Sequence, residues 1–183
     1  IVLAEIVNEN ELFAQDFMRN LIEPYRSQLE SRYREWTATR GRTPLPAPVD
    51  FSSCEPTVLD FLIDLQKAYY ADLADHMRRL GVRIPLAGTN WVAGGAPSLE
   101  SHRDVDFTDS HTYWYDWTWR TTEKKFNNRS MLGERDPWFR CLTFFRLPDK
   151  PFFVSEWDDP WPNEWRAESP LFLAAVAGLQ GWA

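Results

Sequence analysis

The sequence predicts an α/β fold built on parallel strands, and three observations carry that prediction. Short apolar runs at 1–7, 82–87 and 152–155 alternate with longer helical stretches. The run Phe152-Phe153-Val154-Ser155 is too short for a helix and reads as a strand covered on both faces, the habit of parallel sheets. The conspicuous polar clusters, Asn8-Glu9, Asn90-Trp91, His111/Tyr113 and Glu156-Trp157, each follow a strand and precede the next helix. Polar groups gathered on one rim mark the active face of a (β/α) barrel or of an open α/β sheet.

Each element has its own local signal. Residues 1–7 are a β-rich run that ends on Asn8-Glu9-Asn10-Glu11. Residues 12–21 continue helically, and Glu23-Pro24 marks a restart, since Pro is tolerated in a first turn. Tyr25, Leu29, Tyr33 and Trp36 fall on one face of an amphipathic helix whose other side carries Arg and Glu. Four prolines make 41–56 a loop. Val58, Leu62, Leu65, Tyr69, Leu73, Met77 and Leu80 keep the spacing of a long helix, which Gly81 ends. Residues 82–87 are the next strand. The Gly-rich loop 92–98 lacks both the Lys-Ser/Thr of a P-loop and dinucleotide spacing, which argues against phosphate binding. Residues 104–109 form a weaker strand with His111 and Tyr113 beyond its end. The excursion 115–137 reads as a lid or rim, and 138–146 as a short helix turning Phe139, Leu142 and Phe145 inward. Ser169-Pro170 reads as the cap and first residue of a final helix over 171–180.

The chain has 183 residues, 44% of them apolar, enough for one domain with a real core. It opens without Met and stops just past an apolar helix, so 1–183 reads as part of a single larger domain, incomplete at both ends. A formal charge of −7 and a pI near 5.0 argue against nucleic acid or an anionic membrane as partner. Cys54 and Cys141 make no disulfide framework and read as buried free thiols, one disulfide being the alternative. His76, His102 and His111 show no paired metal-ligand spacing, so neither metal nor cofactor is expected. No Gly-x-Ser-x-Gly elbow occurs. Ten Trp, six Tyr and twelve Phe are the outlier, and several Trp sit in polar, Pro-rich surroundings where flat rings face a ligand.

Glu156 ends an apolar strand, and burying a carboxylate costs several kcal/mol unless something compensates it. An Arg partner at the rim is the plain explanation. A second carboxylate, Glu9, on the same rim points elsewhere, because retaining glycoside cleavage needs two carboxyls about 5–5.5 Å apart. Asn8-Glu9 after one strand and Ser155-Glu156-Trp157 three strands later resemble the clan A retaining glycoside hydrolases, the cellulase- and β-galactosidase-like enzymes. The run 156–168, Glu-Trp-Asp-Asp-Pro-Trp-Pro-Asn-Glu-Trp-Arg-Ala-Glu, looks like a cellulase subgroup.

That resemblance implies a (β/α)8 TIM barrel, of which this chain is the segment from strand 4 to helix 7. Residues 82–87 and 104–109 are then strands 5 and 6, and the missing strands come from the rest of the chain. It makes Glu156 the nucleophile and Glu9 the acid/base, puts Asn8 on the sugar 2-hydroxyl, and has Tyr113 orient the Glu156 carboxylate. His111 contacts the sugar or is structural; Asn90 joins the rim; Trp91, Trp157 and Trp161 stack on sugar or pack the rim. Asp158, Asp159 and Glu164 fix loops by pairing with Arg, while Glu5 inside its strand and Glu11 at a helix start are poorer catalysts. An oligo- or polysaccharide substrate, no cofactor, and a secreted or periplasmic setting are implied as well. The rival reading is a non-catalytic carbohydrate-binding barrel with an aromatic groove, against which the two intact glutamates speak.

Overall fold

The strongest helical periodicities produce the longest helices. In the computed structural model, which describes residues 2–90, 94–114, 128–132 and 142–182, the chain divides into two units, Ile1–Val105 and Asp106–Ala183. No helix among the described residues is long and apolar enough to cross a membrane.

In the first unit, β1 (Ala4–Glu5) leads to α1 (Gln15–Arg19), α2 (Tyr25–Thr39) and α3 (Pro56–Arg79), then β2 (Leu86–Ala87) and α4 (Ala96–Ser101). α2 and α3 pack through Leu29, Tyr33, Val58, Phe61 and Leu62, each nearly or fully buried. Burial at that level stabilises by about 1.5–3 kcal/mol per large side chain. Tyr33 is the hub, with the Phe61 ring edge-on at 5.4 Å and Phe51 at 5.8 Å. Phe51 and Val49 come from the Pro-rich loop, so that loop contributes to the core. Val49 N–H donates to Glu30 Oε1 at 3.0 Å, which ties the loop to α2. α3 stops where Gly81 takes φ +93°; Gly81 N–H reaches Arg78 O and Val82 N–H reaches Met77 O, closing the last turn. β1 and β2 pair in parallel, Ala4 opposite Leu86 and Glu5 opposite Ala87.

In the second unit, β3 (Thr108–Tyr113) and β4 (Phe152–Asp158) form a longer parallel pair, followed by α5 (Glu168–Gln180). Phe152, Phe107, Leu142, Phe145 and Leu147 are buried, and Trp182 meets Phe152 edge-on at 4.9 Å.

The parallel pairing is present, but the barrel segment is not. The described residues form two separate two-stranded parallel sheets, not the consecutive wall strands of a TIM barrel running from strand 4 to helix 7. The apolar runs 1–7 and 82–87 each contribute only two ladder residues, because Asn8-Glu9 and Gly88 turn the chain immediately beyond them. Asp104 and Asp106 are poor strand formers and lie in the turn after α4, so the strand expected at 104–109 forms later, at Thr108–Tyr113. His111 and Tyr113 are therefore inside a strand, and Glu156 lies within β4, not at its last residue. α5 begins three residues earlier than Leu171, with Ala167 at its cap position; Ser169 is buried and does not cap it. α4 occupies part of the expected Gly-rich loop. Cys54 is exposed, where a buried thiol was expected, and Cys141 lies outside the described residues.

Gly88 has no room for a side chain: a Cβ there would sit 2.5 Å from Cε2 of the buried Tyr70 ring. Gly88→Ala should lower stability by about 1–3 kcal/mol, read from denaturant unfolding.

Candidate functional site

The turn after β1 is held from behind, one residue at a time. Glu9 N–H donates to Asn90 Oδ1 at 3.0 Å, Asn10 N–H to Thr89 Oγ1 at 3.3 Å, and Leu12 N–H to Gln66 Oε1 at 2.8 Å. The Glu11 carboxylate accepts from Gly94 N–H at 2.8 Å and from the Ser98 hydroxyl. Thr89 and Asn90 follow β2 after Gly88, and β1–β2 pairing brings them beside the turn. Asn90 is fully buried and its amide is fully employed: Nδ2 also donates to Asn8 Oδ1 at 2.9 Å and to Glu5 Oε2 at 2.5 Å. That makes Asn90 the anchor of Asn8 and Glu9. Glu9 itself adopts φ +45°, the only non-glycine positive φ among the described residues. A side-chain residue there costs roughly 1–2 kcal/mol, strain that persists only where neighbours impose it and that gathers at functional sites.

The second cluster lies on β3 and β4. The Tyr113 hydroxyl donates to Glu156 Oε2, and His111 Nδ1 lies 3.4 Å from the same oxygen. Oε1 is left uncommitted to either. His111 Nε2 meets Ser155 Oγ at 2.8 Å, so with the Nδ1 proton facing the carboxylate, Nε2 accepts from the hydroxyl. The His111 side chain is 7% exposed and that of Glu156 42%, so the imidazole is a packed support and the carboxylate an open one.

A β-bulge chooses the face on which Glu156 stands. Asp109 pairs with Phe153 but His111 pairs with Glu156, so β4 carries one extra residue between these positions. Without it, Glu156 would face Thr112 and project from the opposite side of the sheet. Asp109, buried, stabilises the bulge: its Oδ1 accepts from Ser155 N–H at 2.9 Å and Ser110 N–H at 2.7 Å. Sequence reasoning missed Asp109, whose only signal is a carboxylate in a β-rich run.

The remaining expected site residues are placed less directly. Trp157 is half-buried, donates Nε1–H to Ser169 O at 3.0 Å and stacks on Phe172, which makes it a packing residue. Trp161 is 75% exposed, a free ring face. Trp91 lies outside the described residues. Asp158 accepts Asp159 N–H at 2.7 Å, and Glu164 N–H donates to Asn128 Oδ1 at 2.9 Å. Asp159 is buried, with Asn163 beside its carboxylate and Asn163 Nδ2 also donating to Arg129 O at 3.1 Å. Burial first, then the negative charges of Asp158 and Glu168, push its pKa from 3.8 up to about 6.

No protein-family model, curated protein or solved structure matches this chain.

Two outcomes follow. Asp109→Ala should lower stability by about 1–3 kcal/mol by stranding two amides, with Asp109→Asn much milder because Oδ1 is retained; thermal unfolding separates them. The fold holds the Asp159 proton more tightly than an unfolded chain does, so this group weakens the fold as pH rises from 3.8 to about 6. Asp159→Asn should therefore be more stable than the parent above pH 6, with a flatter Tm-versus-pH profile below it.

Proposed function

We propose that the protein cleaves β-linked glycosides with retention, Glu156 acting as nucleophile and Glu9 as acid/base. The observation that carries this reading is the Tyr113 hydrogen bond to Glu156 Oε2, with His111 beside the same oxygen and the carboxylate open to solvent. A carboxylate that is oriented by a phenol yet exposed is suited to attack. The resemblance of Asn8-Glu9 and Ser155-Glu156-Trp157 to retaining glycoside hydrolases supports it, as does the strained and anchored backbone of Glu9.

In the first step a Glu156 oxygen bonds to the anomeric carbon, the glycosidic C–O bond breaks, and Glu9 gives its proton to the departing oxygen. In the second, Glu9 takes a proton from water as that water attacks the same carbon, and the ester to Glu156 breaks. The two inversions leave the configuration unchanged. Asn8 supplies an amide next to the acid/base, the position from which a sugar 2-hydroxyl would be held. Trp161 offers an exposed face for a further sugar ring. The substrate class is an oligo- or polysaccharide.

A 2-deoxy-2-fluoro β-glycoside with a good leaving group should label the protein once, with the mass on the peptide that holds Glu156. Glu156→Gln should abolish both labelling and turnover while keeping sugar binding. Glu9→Ala should retain the first step on activated aryl glycosides, lose unactivated substrates by a factor of about 10²–10⁴, and regain turnover with azide. Wild-type rates for Glu9→Ala on unactivated substrates would refute the assignment. A protein that retains β-glucan but never labels would instead be a carbohydrate binder.

A further inference from the structure

His102 lies outside the proposed chemistry, yet it closes a circuit of hydrogen bonds around the turn that carries Glu9. The imidazole is 2% exposed. Its Nδ1 meets Ser98 O at 2.8 Å and its Nε2 meets Thr89 N at 3.2 Å. A backbone N–H only donates and a carbonyl only accepts, so the ring is neutral, with the proton on Nδ1 and a lone pair on Nε2. Thr89 carries the contact onward, since its Oγ1 accepts Asn10 N–H, and the next residue, Asn90, accepts Glu9 N–H. The return path runs through the neighbouring Glu11, whose carboxylate holds the Ser98 hydroxyl.

We infer that neutral His102 is a positioning residue for Glu9: its Nε2 lone pair fixes Thr89, and through Thr89 and Asn90 it fixes the backbone of the Asn8–Asn10 turn. The inference rests on the reading of Glu9 as acid/base for its consequence in catalysis, though not for its structural part. A proton added at Nε2 turns the acceptor into a donor facing Thr89 N–H. Two donors then oppose each other in a buried space, and Thr89 must withdraw.

The charged and titratable groups around the ring do not relieve that conflict. From α3, Tyr70 packs on the imidazole with centroids 5.2 Å apart; burial, and then the nearby Glu11, raise its pKa, so it stays a neutral phenol. From the turn, Glu11 is spent on Ser98 and Gly94. Lys67 of α3 pairs with Glu100 at 3.0 Å, and Arg103 pairs with Glu100 at 2.8 Å. Burial holds the His102 pKa below its ordinary 6.5, only partly offset by the Ser98 carbonyl that accepts from Nδ1. The circuit is therefore intact near neutrality. Its contribution to stability is fully present above pH 6.5 and is lost as pH falls through the lowered pKa.

The test uses the full chain and needs no substrate for its first arm. Imidazole nitrogen shifts should show the Nδ1–H tautomer at pH 7. The Glu9 and Asn10 amide signals should titrate together with His102, their exchange with solvent rising at least about fivefold as the ring protonates, beyond the intrinsic pH effect. In the second arm, His102→Leu should speed exchange at Glu9 and Asn10 at pH 7, and His102→Gln, which keeps a donor and an acceptor, should restore much of the protection. If the reading of Glu9 holds, His102→Leu should also lower kcat on unactivated glycosides, and by a much larger factor than it lowers azide-rescued Glu9→Ala turnover. Glu9 and Asn10 amides indifferent to His102 protonation and to a folded His102→Leu would overturn the inference. Exchange that responds in a protein that cleaves no glycoside would leave it standing and sink the glycosidase reading alone.

Discussion

Four consecutive residues, Glu9 to Leu12, leave the β1 ladder with their polar groups turned toward the protein interior, and each finds a partner on Asn90, Thr89, Ser98 or Gln66. Leaving one buried donor or acceptor unmet costs about 1–3 kcal/mol, so four such bonds, three given by the turn and one accepted by it, oblige the chain to take one path. The partners lie on three different segments, α3, the end of β2 and α4. The turn is therefore correct only when all three are docked, which links the backbone of Glu9 to the packing of the first unit. Gln66 shows the linkage most plainly: its amide also holds Ser101 at 2.8 Å, tying α3 to α4 behind the turn.

The second unit achieves placement by a different device. A one-residue offset in the β3–β4 ladder, filled by the Asp109 carboxylate, decides which side of the sheet Glu156 occupies. His111 and Tyr113, two residues apart on one strand, then share the face with it. Orientation here comes from strand register, which is stiffer than a loop, and the supporting imidazole is buried while the carboxylate stays accessible. Both candidate carboxylates thus stand on backbone made irregular at a single point, a positive φ in one case and a bulge in the other.

Much of α2 and α3 was legible, because Leu29, Tyr33, Val58 and Leu62 recur at helical spacing and bury accordingly. The strands were legible only as apolar runs. Their true extent depended on pairing partners, which a single run does not encode, and four such runs were too readily assembled into the wall of a barrel. The pairing of Tyr113 with Glu156 was expected from family resemblance, not from periodicity. The bulge left no trace in composition, since one extra residue in a ladder looks like any other strand residue. His102 was legible only as a histidine without metal-ligand spacing, and Thr89 and Ser98 only as loop residues: each is an ordinary polar residue, and only their convergence gives them meaning. Gln66 did carry a signal, a polar amide one turn along α3 from Leu62 in a row of otherwise apolar positions.

The left-handed backbone at position 9 carries a stability cost that a different residue would remove. A glycine there would relax the strain at no steric cost, gaining on the order of 1 kcal/mol while discarding the carboxylate. Selection for heat resistance alone would thus favour glycine at this position. Glutamate is the costlier choice for folding, and it is held there by Asn90, whose Oδ1 accepts the Glu9 N–H.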